Sequence, residues 1–238
     1  MKIRNRDFSS ALWKQYHSGR MPVIPDIKFR SPGEGDLLQG RSPVQLAKIM
    51  VEAGAQVISV VTEKEHFGGS LPILEEIVRA VSRPVLRKDF INSRQQLRET
   101  AHMGAKAVLL IASMLQKEQL YELIEYAHIL GLEPLVETHN EEEISLVTEL
   151  DLSMLGINNR NIIGMETDGG NVKTTEELAG WAKSGTLLIS ESGIASPRDV
   201  KRAAQAGAHA VLVGTAILQA RDPAQMYRDL NTMRGKGL

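Results

Sequence analysis

Short runs of leucine and β-branched residues recur along the whole chain. Each is followed by a stretch whose apolar positions repeat every three or four residues. Runs with little polar alternation fit strands buried on both faces. Eight are predicted: Pro22–Lys28, Gln56–Thr62, Pro84–Phe90, Ala107–Ser113, Leu132–Thr138, Met154–Arg160, Thr186–Ser192 and Ala210–Ile217. Between them lie helical stretches such as Ser93–Gly104 and Gln116–Gly131, each ending on a glycine that can take the left-handed backbone of a helix stop. Ser196-Pro197 ahead of RDVKRAAQAGA supplies a cap and then a proline at a helix start. Successive strands begin between 22 (132 to 154) and 34 (22 to 56) residues apart, room for one strand, one helix and two loops. Eight such α/β units predict a (β/α)8 TIM barrel, and no GxGxxG follows the first strand to favour an open doubly wound sheet. The stretch about Phe8–Ser18 predicts an extra helix covering the barrel's bottom. The chain therefore reads as one domain over 1–238, with 1–21 a short N-terminal helical extension and 22–238 the barrel.

Composition narrows the function. Of 238 residues 42% are apolar and 24% charged, which is enough apolar material to build a large core without staples. The formal net charge is -1 with no basic block, which argues against binding nucleic acid or an anionic membrane. There are no cysteines, so thiol nucleophiles and Cys-ligated zinc are excluded and a reducing compartment fits. The charged start lacks a signal peptide's apolar core, and no apolar run approaches the roughly 18 residues of a membrane span. The expectation is a cytoplasmic protein; the oligomeric state stays open, and a monomer is compatible with the sequence.

In a parallel barrel the loops at the C-terminal strand ends converge on one mouth. Those ends carry groups that a purely structural core would avoid. Asp26 and Lys28 end the first strand and, being two apart, share a face. Lys88 ends the third in LRKDF, Glu137 the fifth in LVET, and Asn158 and Arg160 the sixth in GINNR. Buried charge is costly unless paired or used. Arg87 and Asp89 alternate with Lys88, so they should face the helices as a structural pair. Asp26 and Lys28 could be a neutralised core pair, and Asn158 could merely satisfy loop backbone. Lys88 and Glu137 have apolar neighbours on their own faces, and a desolvated lysine can serve as an acid or base near neutrality.

The last two strands end in SESGI and LVGTA. Gly193 and Gly214 allow close approach of a ligand to backbone amides, while Ser192 and Thr215 add hydroxyls. That is where this fold usually holds phosphate, although the glycines could also only relieve tight turns. His102, His128 and His209 fall in helical stretches, and no histidine spacing argues for a metal. Trp13, Trp181 and the tyrosines read mostly as packing. His66-Phe67-Gly68-Gly69-Ser70 places an aromatic on a loop over the mouth, where it could cover a substrate ring or anchor the loop.

Taken in order, DIKFRSP, VVTEKEHFGGSL, VLRKDFI, LEPLVETHNEEE, GINNRN, SESGI and VGTAI resemble the strand-end motifs of the indole-3-glycerol phosphate synthase family, from about Phe8 to the C-terminus. The resemblance implies a lyase of tryptophan biosynthesis, working without a metal or organic cofactor. It would decarboxylate and close 1-(2-carboxyphenylamino)-1-deoxyribulose 5-phosphate to indole-3-glycerol phosphate, releasing carbon dioxide and water. It implies Lys88 as general acid, Glu137 as its partner in the later proton transfer, and Lys28 on the substrate carboxylate. Asn158 and Arg160 would orient substrate and active-site charges, and Phe67 and Phe90 would line the anthranilate pocket. Ser31, Gly193, Gly214 and Thr215 would contact the phosphate and Ser192 the sugar.

The chain also departs from that family. Asp26 stands where a glutamate is usual, with Pro25 before it in the strand. Glu34 and Asp36 add negative charge beside the expected anion site, and the loop IIGMETDGGN after the sixth strand is longer and richer in glycine. Two other readings therefore stay open: a paralogue acting on a related phosphorylated aryl-amino sugar, and a non-catalytic barrel that binds a phosphorylated ligand.

Overall fold

The computed structural model describes residues 6–160 and 171–233. Eight strands, β1 (Val23–Ile27), β2 (Ile58–Val61), β3 (Val85–Lys88), β4 (Ala107–Ile111), β5 (Glu133–Thr138), β6 (Met154–Asn158), β7 (Leu187–Glu191) and β8 (Ala210–Val213), close into one barrel. Every neighbouring pair is parallel, and β1 closes the ring between β8 and β2. Parallel strands need long crossovers, and helices supply them. The helices in chain order are α1 (Asp7–His17), α2 (Pro43–Glu52), α3 (Leu71–Ala80), α4 (Arg94–His102), α5 (Lys117–Ile129), α6 (Glu141–Val147), α7 (Lys173–Leu178), α8 (Pro197–Ala206), α9 (Thr215–Gln219) and α10 (Pro223–Leu230), of which α2 to α8 lie between barrel strands. The loop IIGMETDGGN lies, apart from Asn171, outside the described residues.

Local chemistry sets the helix ends. Ser42, Ser196 and Asp222 each accept a backbone N–H of the first turn, with proline next in sequence at the first helical position. Gly104 and Gly131 follow α4 and α5 with φ +85 and +76, and Gly207 closes α8 with φ +110, as the glycine stops require. Two predicted strands run on into helical segments. Ala107–Ser113 stops at Ile111 and turns into a short 3-10 segment, Ala112–Met114. Ala210–Ile217 stops at Val213, and Thr215–Gln219 is helix. An apolar run reads the same whether it continues as strand or enters a buried helix. His209 also lies outside any helix, in the turn before β8. Its ring sits 4.6 Å from that of Trp13, and its Nδ1 accepts the Leu188 N–H at 3.0 Å.

The interior is a column of inward side chains, among them Ile24, Leu86, Leu109, Leu135, Met154, Leu187, Ile189 and Leu212. Phe8 and Leu12 of α1 join this column from below, each fully buried. At about 1.5–3 kcal/mol per fully buried large apolar side chain, that is enough to hold a short helix against the barrel. The top of the column is polar, and there the interior opens into the mouth.

Candidate active site

Alternation carries the strand-end side chains inward. On β5, Glu133, Leu135 and Glu137 share the interior face, so the last of them reaches the mouth fully buried. Asn158 Nδ2 donates to Glu137 Oε1 at 3.0 Å. His139 Nε2 lies 3.3 Å from the same oxygen as an ion pair. Glu137 Oε2 makes no hydrogen bond among the described residues and looks toward Lys88 Nζ at 3.6 Å. Burial alone would push this carboxyl up, but the Lys88 ammonium, and after it His139 and Asn158, hold it well below the usual carboxylate range.

Glu191, at the end of β7, completes the cluster. It is fully buried, its Oε2 lies 4.0 Å from Lys88 Nζ, and neither oxygen is hydrogen-bonded among the described residues. A Cβ at Gly156 would collide with Glu191 Oε1, so glycine on β6 makes room for the side chain. Burial, reinforced by the Glu137 charge and only partly offset by Lys88, raises this carboxyl well above its ordinary value. The two carboxyls beside one ammonium are therefore pushed in opposite directions, Glu137 toward its ionised form and Glu191 toward its protonated form.

Sequence reasoning missed Glu191. Ser192 reads as a residue of the mouth, and strict alternation would then turn its neighbour Glu191 outward. The backbone breaks that alternation: Ser192 has φ 63 and Gly193 φ 68, both left-handed. Behind them Asn159 Nδ2 donates to Ser190 Oγ, Glu191 O and Ser192 O, while its Oδ1 accepts from Thr175. This buried amide ties β7 to α7 and holds the turn in place.

A cavity of about 250 Å³ opens above the cluster. Of the residues singled out in the sequence, Asp26, Lys28, Lys88, Arg160, Ser192, Gly193, Gly214 and Thr215 line it. Arg160 N donates to Asn158 Oδ1, which fixes the turn after β6. A Cβ at Gly214 would come within 3.2 Å of Asp26 O and Lys28 Cε, so any side chain there would crowd the seam between β8 and β1. Glu34 also lines the cavity, and Gln219 Nε2 donates to its carboxylate at 3.0 Å; Asp36 instead accepts the Leu38 and Gln39 amides. Ser31 differs from expectation. It lines neither this cavity nor the next, and its hydroxyl, buried, accepts from Lys28 Nζ at 3.5 Å.

A second, apolar pocket adjoins the first, lined by Val61, Phe67, Phe90, Leu109 and Ile111, with Asp26, Lys28 and Lys88 shared between the two. Phe67 meets Phe90 edge to face, centroids 6.5 Å apart, and Lys28 Nζ stands 6.0 Å from the Phe67 ring. The loop bearing Phe67 is anchored by Glu63, whose carboxylate accepts the Glu65, His66 and Phe67 amides. Glu63, Glu65 and His66 lie close enough to share an ion, but those amides already engage Glu63. Arg87 and Asp89 pair at 2.8 Å and Arg87 also donates to α4, the structural role expected of them. Asp26 Oδ1 accepts from Ser59 Oγ at 2.6 Å across the β1–β2 seam.

An apolar aromatic pocket, a lysine between two unlike carboxyls and a glycine-edged polar cavity, at the C-terminal mouth of a TIM barrel, define an acid–base enzyme. Comparison with known proteins gives the family. The family model for indole-3-glycerol phosphate synthase matches residues 1–230. Proteins named indole-3-glycerol phosphate synthase from Thermococcus kodakarensis and Pyrococcus furiosus are each 44% identical over 208 and 207 residues, covering 87% of this chain and 91% and 90% of theirs. One from Shouchella clausii is 44% identical over 209 residues, 87% of this chain and 81% of its own. The chain belongs to the indole-3-glycerol phosphate synthase family. Among the described residues no helix is long and apolar enough to cross a membrane.

Proposed function

We propose that this mouth performs the family's reaction, the decarboxylative closure of 1-(2-carboxyphenylamino)-1-deoxyribulose 5-phosphate to indole-3-glycerol phosphate. The observation that carries this reading is Lys88 Nζ set 3.6 Å from Glu137 Oε2 and 4.0 Å from Glu191 Oε2 beside the aromatic pocket. The substrate's aryl ring lies against Phe67 and Phe90, its carboxylate on Lys28. Its phosphate lies in the cavity edged by Gly193, Gly214 and Thr215, with Ser192 on the sugar; Ser31 reaches it only through Lys28. As the aryl carbon attacks the ketone carbon, the Lys88 ammonium gives its proton to the developing alkoxide. Carbon dioxide then leaves with the aryl carboxylate's electrons held in the ring. Loss of water needs a base for the ring proton and an acid for the departing hydroxyl. Glu137 Oε2, ionised and without a hydrogen-bond donor among the described residues, is the base. Lys88, given back a proton by Glu191, is the acid for that hydroxyl, and the proton taken up by Glu137 together with one from solvent then restores Lys88 and Glu191. Asp26, Asn158 and Arg160 hold the charges in place. We read residues 22–238 as the working barrel and 1–21 as an extension of the same domain. The cysteine-free composition supports a cytoplasmic setting.

The test is direct. Purified protein given that substrate should produce indole fluorescence, and inorganic phosphate should inhibit competitively. No indole product, with a folded protein, would overturn the reading.

A further inference from the structure

The turn from β5 into α6 reads Thr138-His139-Asn140-Glu141-Glu142-Glu143. Asn140 caps α6, its Oδ1 accepting the Glu143 N–H at 2.9 Å, and Glu143 reaches back so that its Oε1 accepts from Asn140 Nδ2 at 2.7 Å and its Oε2 from the His139 N–H at 2.9 Å. This is a variant of the capping box in which the return bond goes to the N–H one residue before the cap, and it accounts for Glu143 as a helix-starting residue. It does not account for the imidazole. His139 Nδ1 lies 3.0 Å from Glu143 Oε2, and Nε2 points the other way, 3.3 Å from Glu137 Oε1. The ring is nearly buried, 13% exposed, between a helix-capping carboxylate and the fully buried carboxylate of the site. Nδ1 is within hydrogen-bond reach of Glu143, whereas Nε2 makes no hydrogen bond among the described residues and meets Glu137 as an ion pair when the ring is protonated.

We infer that His139 is a positioning residue, an imidazolium strut that holds Glu137 ionised and aimed by bracing it against the capping carboxylate of α6. This deepens the proposed function and rests on it for the role of Glu137. The groups that face the strut are Glu137 on β5, Glu143 on α6, Lys88 on β3 and Glu191 on β7, with the neutral amide of Asn158 on β6. Burial works against the charged ring, but Glu137 and Glu143 together lift it to about 9, so the strut stands through the neutral range. The strut adds a positive charge on the side of Glu137 opposite Lys88. Glu137 can then stay ionised while Oε2 is left to the substrate, and the proton of the carboxyl pair stays on Glu191.

Side-chain nitrogen NMR of the histidines tests the strut without substrate. The His139 imidazole should stay doubly protonated at neutral pH and titrate about two pH units above an ordinary histidine; in Glu143→Gln that value should fall by about one unit. Kinetics then tests its use. In His139→Gln, kcat should fall about tenfold and the acid limb of kcat/KM should move up by about one pH unit, because Glu137 has lost a cation. His139→Lys, which keeps the charge, should return the limb toward its parent position. An imidazole that titrates at an ordinary histidine value, or an equal loss of rate at every pH with no movement of the limb, overturns the inference. If His139→Gln does not fold, the Glu143→Gln titration decides, and an unchanged value overturns the strut. A parent that makes no indole product would instead sink the proposed function, while the NMR titration still judges the strut.

Discussion

Strand β5 carries a buried glutamate at each end, Glu133 at the barrel's bottom and Glu137 at its mouth, both on the interior face. Their partners differ in kind. Glu133 accepts from Phe8 N at 2.6 Å, from Ser9 N at 3.2 Å and from Ser9 Oγ at 2.5 Å, all donors in the first turn of α1. The residue before α1, Arg6, gives no side-chain cap, so a strand residue 125 positions away does the capping. These donors are neutral apart from the partial charge of a helix start, and they do not overcome burial: the Glu133 carboxyl lies above its ordinary value. Glu137 is surrounded by full charges and lies below. Dipoles suffice to dock a helix, whereas holding an ionised base in a dry interior takes cations. The same residue type on one strand thus serves structure at one end and chemistry at the other.

The mouth should fail first and hardest. Lys88→Met removes the acid while adding an apolar side chain of similar length, and kcat should fall by about 10³-fold or more, with circular dichroism unchanged. Near-normal turnover would move the acid elsewhere. Next comes the glutamate pair itself. Glu137→Gln should lower kcat by about 10²-fold or more. Glu133→Gln should leave kcat within about threefold and lower stability by about 1–3 kcal/mol, which for a chain of this size takes Tm down by several degrees. Equal catalytic losses in the two variants would erase the distinction between the ends.

Acid makes a finer separation. Glu133, with its carboxyl raised in the fold, holds its proton more tightly folded than unfolded, so its contribution is full at low pH and drains away as pH rises past 4.5 through the folded value. Glu137, with its carboxyl lowered, contributes fully above 4.5 and loses that contribution as pH falls toward its folded value. Urea midpoints measured between roughly pH 3 and 6 should therefore diverge. The gap between parent and Glu133→Gln should shrink as pH rises, and the gap for Glu137→Gln should widen. Gaps that change in the same direction would contradict the assignment of charge to the two ends.

The sequence disclosed the two ends unequally. Eight strands, the helix stops and the covering helix were legible because burial on both faces leaves apolar runs, and because Ser196-Pro197 and the glycines after α4 and α5 are local signals. Lys88, Glu137, Asn158 and Arg160 were legible because they interrupt such runs at equivalent ends. What depends on contact between distant segments was not. Glu133 looks like an ordinary start to a strand, and nothing near it names Phe8 or Ser9. Glu191 was hidden by a left-handed Ser192, and His139 by lying one residue past the strand, where alternation no longer says which way a ring turns.

The smallest expected change is at Asp26, and it asks how closely the mouth is fitted. Where the family usually has glutamate, this chain's aspartate has its Oδ1 at 2.6 Å from Ser59 Oγ, on a fully buried serine of the neighbouring strand. The shorter acid is thus held back against the barrel wall, at the border of both pockets. In Asp26→Glu the carboxylate moves about one methylene further into the cavity, toward the substrate amine, and gives up the serine. A displacement of about 1 Å at a reacting centre can change rate by roughly a hundredfold, but here the longer reach restores a length the family uses and the lost hydrogen bond is worth only about 1 kcal/mol. The two effects partly offset, so kcat/KM on the family's substrate should hold or rise, by no more than about tenfold. Space sets the upper bound: Gly214 sits against the Asp26 backbone and Cβ, leaving the extra methylene only the cavity side. If the shorter acid instead makes room for a related phosphorylated aryl-amino sugar, the parent will form no detectable indole product and Asp26→Glu will not rescue it. Steady-state kcat/KM for parent and variant on that one substrate separates the two cases.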